Sequence, residues 1–182
     1  MNLSAEIRAA LGRRYWDGTN PEWRRWELRM VSRAERSPLE FFRRHEVEKI
    51  AKWKSREPLY KNVEHDVRKN SESETKSVTK AAFSESKPER AIEILACEPK
   101  LKGVGYPVAS AILMFHDPRK YTVIDRNAWY ALYLLNRVNT SKPPSRLSGK
   151  VYAAYNSKCR QVSAKWGIAL RETDRMLWAL GS

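Results

Sequence analysis

The chain has 182 residues, 35 Lys+Arg against 21 Asp+Glu, a formal net charge of +14 and 42% hydrophobic residues. That length fits one domain with a real core, and the charge attracts polyanions, which puts nucleic acid first among partners, an anionic membrane surface second and a purely electrostatic, ribosomal type of contact third. Mean hydropathy is −0.68 and no apolar run approaches the ~20 residues of a spanning helix, so an integral membrane protein is excluded.

The start, Met1-Asn-Leu-Ser-Ala-Glu, lacks the basic and apolar blocks of a secretory signal. Cys97 and Cys159 are the only cysteines. Two cannot build a disulfide scaffold, a four-thiolate zinc site or a four-cysteine iron–sulfur site. His45, His65 and His116 do not join them at metal-ligand spacing. No metal and no cofactor are expected, and the compartment expected is intracellular: cytoplasm, nucleoid or nucleus.

Helix-period patterns dominate, and alternating strand patterns are scarce. A short amphipathic helix is expected over Leu3 to Leu11. Pro21 to Ala34 places Trp23, Trp26, Met30 and Ala34 on one stripe, with Arg24, Arg25 and Arg29 off it. Ser37-Pro38 reads as a cap and a first-turn proline, opening a short helix with Leu39, Phe41 and Phe42. Val47, Ile50 and Trp53 continue with helical spacing, leaving Lys49 and Lys52 outside. From Asn62 to Lys87 the chain turns polar. Helices are expected there, broken near Ser71, with Val78, Ala81, Ala82 and Phe83 inward and little to bury between Lys69 and Lys76. Pro88 opens a helix with Ile92, Leu95 and Ala96. Asn139 to Ser148 is a polar break. Two last helices come after it, Gly149 to Trp166 and Leu170 to Leu180. Their expected stripes are Val151, Ala154, Tyr155, Cys159 and Val162, then Leu170, Thr173, Leu177 and Leu180. The fold class expected is all-α, as a single domain over 1–182 with its central element at 88–136.

Residues 101–113 read Leu-Lys-Gly-Val-Gly-Tyr-Pro-Val-Ala-Ser-Ala-Ile-Leu. Gly103 and Gly105 suit a tight turn with positive φ and close approach of a ligand to the backbone. Val104 between them can plug into the core. Pro107 fits the first turn of the next helix, which then presents free N–H groups and a positive dipole end. A DNA phosphate fits there, with Lys100 and Lys102 beside it.

This element resembles the helix–hairpin–helix motif, and the residues after its second helix make the likeness more specific. They read His116-Asp117-Pro118-Arg119-Lys120-Tyr121-Thr122-Val123-Ile124-Asp125. The helix–hairpin–helix DNA glycosylase superfamily continues its hairpin with a short loop and an aspartate that opens another helix. Asp125, 18 residues after Pro107, matches that aspartate. The resemblance covers Glu89 to Leu135. It implies a glycosylase-like helical domain and base-excision repair. It assigns catalysis to Asp125 and contact with double-stranded DNA, independent of sequence, to Lys100, Lys102, Gly103, Val104, Gly105, Tyr106 and Pro107. A monomer is expected.

Cleavage of an N-glycosidic bond builds positive charge on the sugar, and a carboxylate against the ring stabilises it or activates water. The competing role of Asp125 is an N-cap for the helix from Arg126; the two roles are compatible. Bifunctional members of the superfamily place a lysine shortly after the second hairpin glycine. Here Tyr106 and Pro107 stand there, so base removal without strand cleavage is expected. Without an iron–sulfur loop, the pattern is nearest the alkylation-type branch, or a branch of its own. Lys54 is the alternative nucleophile, set against a plain solvated lysine. A flipped base needs an aromatic pocket. Trp53 and Trp129 are the pocket candidates, with Trp16 and Tyr106 behind them, Tyr106 facing DNA from the turn. Two rival readings stand beside the enzyme: a non-catalytic helix–hairpin–helix DNA-binding module, and a basic adaptor or RNA-binding protein.

Overall fold

The computed structural model describes residues 4–55, 60–97 and 101–182, and among these every regular element is a helix. They are α1 (Ala5–Asp17), α2 (Pro21–Arg36), α3 (Arg44–Lys54), α4 (Tyr60–Arg68), α5 (Glu72–Ser84), α6 (Pro88–Ala96), α7 (Tyr106–His116), α8 (Arg126–Leu134), α9 (Gly149–Trp166) and α10 (Leu170–Gly181). The fold is all-α. No helix of the described residues is long and apolar enough to cross a membrane.

The centre is α7, whose residues Val108 to His116 are all buried. A helix apolar on every side needs neighbours on every side. α2, α3 and α6 pack directly against it. A second layer joins α8 to α10, α10 to α1 and α9, and α6 to α9.

The polar stretch after Asn62 folds into α4 and α5, broken at Ser71. Glu74 N–H donates to Ser71 Oγ at 3.1 Å and Ser71 N–H to Glu74 Oε2 at 3.3 Å, a reciprocal cap that starts α5. Val78 and Ala82 point inward, but Ala81 is exposed and Thr75 and Thr79 take buried places instead.

The short helix expected after Pro38 does not form, and the chain runs extended to Arg43. Phe42 N–H donates to Thr79 Oγ1 at 3.0 Å, and His116 Nδ1 lies 2.7 Å from Leu39 O. Partners on α5 and α7 thus take backbone groups that a helical turn would use, and Phe42 is buried completely. On α9, Ala154 is exposed while Tyr152 and Asn156 are buried.

The turn at 101–105 is clamped from α4. Gly103 has φ +74°, and a Cβ there would lie 2.8 Å from Val63 O and 2.9 Å from Val67 N. Gly105 differs from the sequence expectation. Its φ is −89°, open to any residue, and a Cβ would meet nothing nearer than Pro107 Cδ at 3.9 Å. Only one of the two glycines is required by the backbone.

Candidate functional site

Two side chains that the sequence set apart meet directly. Lys54 ends α3, and its Nζ lies 2.5 Å from Asp125 Oδ2 at the start of α8. Their side chains are 12% and 23% exposed, so Lys54 is a largely enclosed lysine and not a solvated one. Asp125 also caps α8, accepting from Asn127 N–H at 2.9 Å through its other oxygen. Capping and ion pairing use different oxygens and coexist.

The loop that delivers Asp125 is fixed by side chains from other helices. Asn156 on α9 donates to Lys120 O and accepts from Thr122 N–H, both at 3.0 Å. Tyr152 and Tyr155 donate their hydroxyls to Thr122 O and Val123 O, each at 3.0 Å. Burial pushes both phenols well above the ordinary tyrosine value, so they remain donors. Val123 N–H donates to Asp174 Oδ2 at 3.3 Å and Ile124 N–H to Ser110 Oγ at 3.0 Å. A non-helical segment buried this deeply must find such partners.

Behind the pair lies a buried charge network. Glu27 is fully buried. Its Oε1 accepts from Arg171 Nη2 at 2.6 Å and Arg175 Nε at 2.9 Å. Its Oε2 accepts from the Tyr15 hydroxyl at 2.9 Å and Trp53 Nε1 at 3.3 Å. Burial pushes the Glu27 carboxyl up, but the two guanidiniums together outweigh it and hold it below its usual range. Arg171 also pairs with Asp174. There burial wins, and the Asp174 carboxyl sits above its usual value despite the guanidinium.

Arg171, Asp174 and Tyr15 of this network line a cleft of about 450 Å³ in which Lys54 and Asp125 share the wall with Trp23, Trp53 and Trp178. The Arg171 guanidinium lies 5.3 Å from the Trp53 ring centre, and Glu27 holds the indole N–H, so that ring is set rigidly.

Trp53 lines the cleft; Trp129 does not. Trp129 stacks on Tyr155 with centroids 5.8 Å apart and donates Nε1 to Thr140 O at 2.9 Å. Its stripe position made it core. Trp16 lies under Arg24 and Arg175. In the turn, Lys102, Gly105 and Pro107 are exposed and Gly103 half-buried, while Val104 is buried and unavailable to a ligand. Tyr106 is half-buried, its hydroxyl 3.1 Å from the Sγ of the exposed Cys97. Lys100 lies outside the described residues. Among the described residues no group of three or more His, Cys, Asp or Glu could hold a metal ion.

Glu27, Arg171, Asp174 and Tyr15 do not stand out in the sequence as site residues. Glu27 had a signal: it sits four residues after Trp23, inside the apolar stripe of α2. Asp174 sits likewise between Leu170 and Leu177 on α10. Compared with known proteins, the chain matches no family model, no curated protein and no solved structure.

Proposed function

We propose that the chain is a DNA-binding base-excision glycosylase of the helix–hairpin–helix type, which hydrolyses the N-glycosidic bond of a damaged or mispaired base at Asp125. The observation that carries the reading is the Lys54–Asp125 pair in the wall of an aromatic cleft. A base swung out of the duplex stacks in such a cleft. Asp125 then stabilises positive charge on the sugar as the C1′–base bond breaks. Water forms the new bond to C1′, and the departing base takes up a proton. The exposed turn backbone and Lys102 hold the DNA phosphates.

The test is release of a free base from duplexes that each carry one lesion. Asp125→Asn keeps a good N-cap but leaves the enclosed Lys54 ammonium without its carboxylate, so a thermal melt and duplex binding are measured alongside the rate. Its rate should fall about 10²- to 10³-fold, the usual loss for one electrostatic contact to the transition state. An unchanged rate would leave Asp125 as a cap only. No base release from any lesion, with tight duplex binding, would favour the non-catalytic DNA-binding module.

The same contact favours a second reading, in which Lys54 replaces water. Its ammonium passes a proton to Asp125, and the amine attacks C1′ as the base leaves with that proton. A Schiff base then forms on the opened sugar, and strand cleavage can follow. Borohydride separates the readings. A trapped protein–DNA adduct that disappears in Lys54→Gln supports the covalent route. Free base with an intact abasic strand and no adduct supports hydrolysis.

A further inference from the structure

From Arg126 to Arg171 the chain has nine lysines and arginines and no aspartate or glutamate. On a chain with 21 carboxylates, a stretch this long without one is a marked local bias. Arg171 is buried in the charge network. Arg126, Lys142, Arg146 and Lys150 are exposed, and no ion pair among the described residues engages them.

The fold sets the middle of this stretch between the cleft and the turn. After α8, residues 135–148 form an irregular loop. Thr140 O accepts from Trp129 Nε1 at 2.9 Å, which brings the loop back along α8 toward its Asp125 end. Thr140 Oγ1 donates to Lys142 O at 2.9 Å and fixes the backbone just beyond. At the far end, Gly149 opens α9 against α6, so close that a Cβ would overlap the Glu89 carbonyl. The Gly149 N–H also interacts with the Tyr106 hydroxyl, next to Gly105. The loop thus leaves the C-terminal end of α8, folds back onto Trp129 and ends beside the 101–105 turn.

We propose that loop 135–148 and the first turn of α9 form a second phosphate clamp, in which Lys142, Arg146 and Lys150 bind the DNA backbone between the turn and the cleft. The inference rests on the glycosylase reading for its partner, and it assigns residues that the turn motif does not contain. A backbone has one charge per phosphate and no fixed sequence, so it fits a row of exposed cations; the carboxylate that lies against Gly149, Glu93, is paired with Arg90. The clamp holds DNA and takes no part in bond breaking.

The experiment measures binding to an undamaged duplex of about 20 base pairs by fluorescence anisotropy, as salt rises from roughly 50 to roughly 200 mM. Three proteins are compared: wild type, Lys142→Gln/Arg146→Gln/Lys150→Gln, and Arg13→Gln/Arg33→Gln/Arg36→Gln. The control triple has the same net charge. Its Arg33 contacts Glu46 at the end of α3 opposite Lys54. Thermal melts check the fold, and Lys142→Gln alone serves if the loop triple is unstable.

Losing three phosphate contacts should lower the salt slope by about 2.7, so the loop triple should lose about 40-fold less affinity than wild type across that salt range. The control should keep most of the wild-type slope. On a lesion duplex, the loop triple should need more protein for half-maximal base release but reach the wild-type rate at saturation. Equal slope changes in both triples would reduce the effect to net charge and overturn the clamp. So would a wild-type slope in the loop triple. If wild type binds no duplex at all, the glycosylase reading fails first and the clamp with it. Tight, salt-dependent binding with no base release leaves the clamp standing and removes only the catalysis.

Discussion

Asn70 grips Lys102 by both of its backbone groups. Lys102 N–H donates to Asn70 Oδ1 at 2.8 Å, and Asn70 Nδ2 donates to Lys102 O at 3.0 Å. The same amide reaches Val67 O at 2.8 Å, so one buried side chain ties the end of α4 to the 101–105 turn. Asn70→Ala removes these bonds and takes from the part-buried Lys102 N–H and carbonyl their partner. The expected loss is about 2–3 kcal/mol, read from the urea midpoint. Asn70→Asp keeps the acceptor for Lys102 N–H and loses both donated bonds, so it should fall short of wild type as well.

The two turn glycines should behave in opposite ways. Gly103→Ala combines a left-handed backbone with overlap on α4, and a loss of about 3 kcal/mol or more is expected. Gly105→Ser has neither problem. α7 has no side-chain cap, so the new hydroxyl can supply one and stability should hold or rise by up to about 1 kcal/mol. If a phosphate uses the α7 amides, that hydroxyl competes with it and DNA affinity falls. A Gly105→Ser protein that is stable and binds DNA like wild type would take those amides out of the interface.

Glu27 is the only carboxylate bonded to Arg175 among the described ion pairs, and it shares Arg171 with Asp174. Glu27→Gln leaves buried positive charge uncompensated. A cost of about 3–5 kcal/mol is expected, or roughly 10 °C in Tm for a chain of this size. The single amide oxygen can serve the guanidiniums or the Trp53 and Tyr15 donors but not both, so one set faces the new NH2. A calorimetric Tm within roughly 2 °C of wild type would mean that the guanidiniums find other partners.

His116 gives a pH dependence with a defined sign. It is buried and stacked on Phe83 with centroids 3.9 Å apart. Burial disfavours the imidazolium and holds its pKa below the ordinary histidine value of 6.5, although the Leu39 carbonyl pulls the other way. Below that value the unfolded chain takes up the proton more readily than the fold does. Stability should therefore fall as pH drops from about 7 toward 5, with no contribution above that window. The Glu27 carboxyl, held low, loses its contribution only at lower pH, as it protonates. Urea midpoints at about pH 7 and about pH 5.5 should differ less for His116→Phe than for wild type.

Helices with a strong apolar stripe were legible in the sequence: α2, α6, α9 and α10 all fall where their spacing puts them. The extended run through Phe42 was not, because a cap-and-proline signal is local and its competitor, Thr79, is 37 residues away. Asn70 and Ser71 lay in a stretch with little apolar to bury, yet their side chains stop one helix and start the next. At the site, Asp125 could be singled out by its distance from the turn. Lys54 could be named but not placed, since its partner is 71 residues further on. The Glu27 network was hidden because residues on α1, α2, α3 and α10 meet only in three dimensions.

The support for Asp125 has a consequence for the order of events during synthesis. Lys54 and Asp125 have both been made before α9 and α10 exist, yet Tyr152, Tyr155, Asn156 and Asp174 are what fix the segment leading to Asp125. A chain emerging from the ribosome thus carries the Lys54–Asp125 pair unaligned until α9 and α10 have left the exit tunnel. Alignment of Asp125 with Lys54 then comes with the docking of α9 and α10.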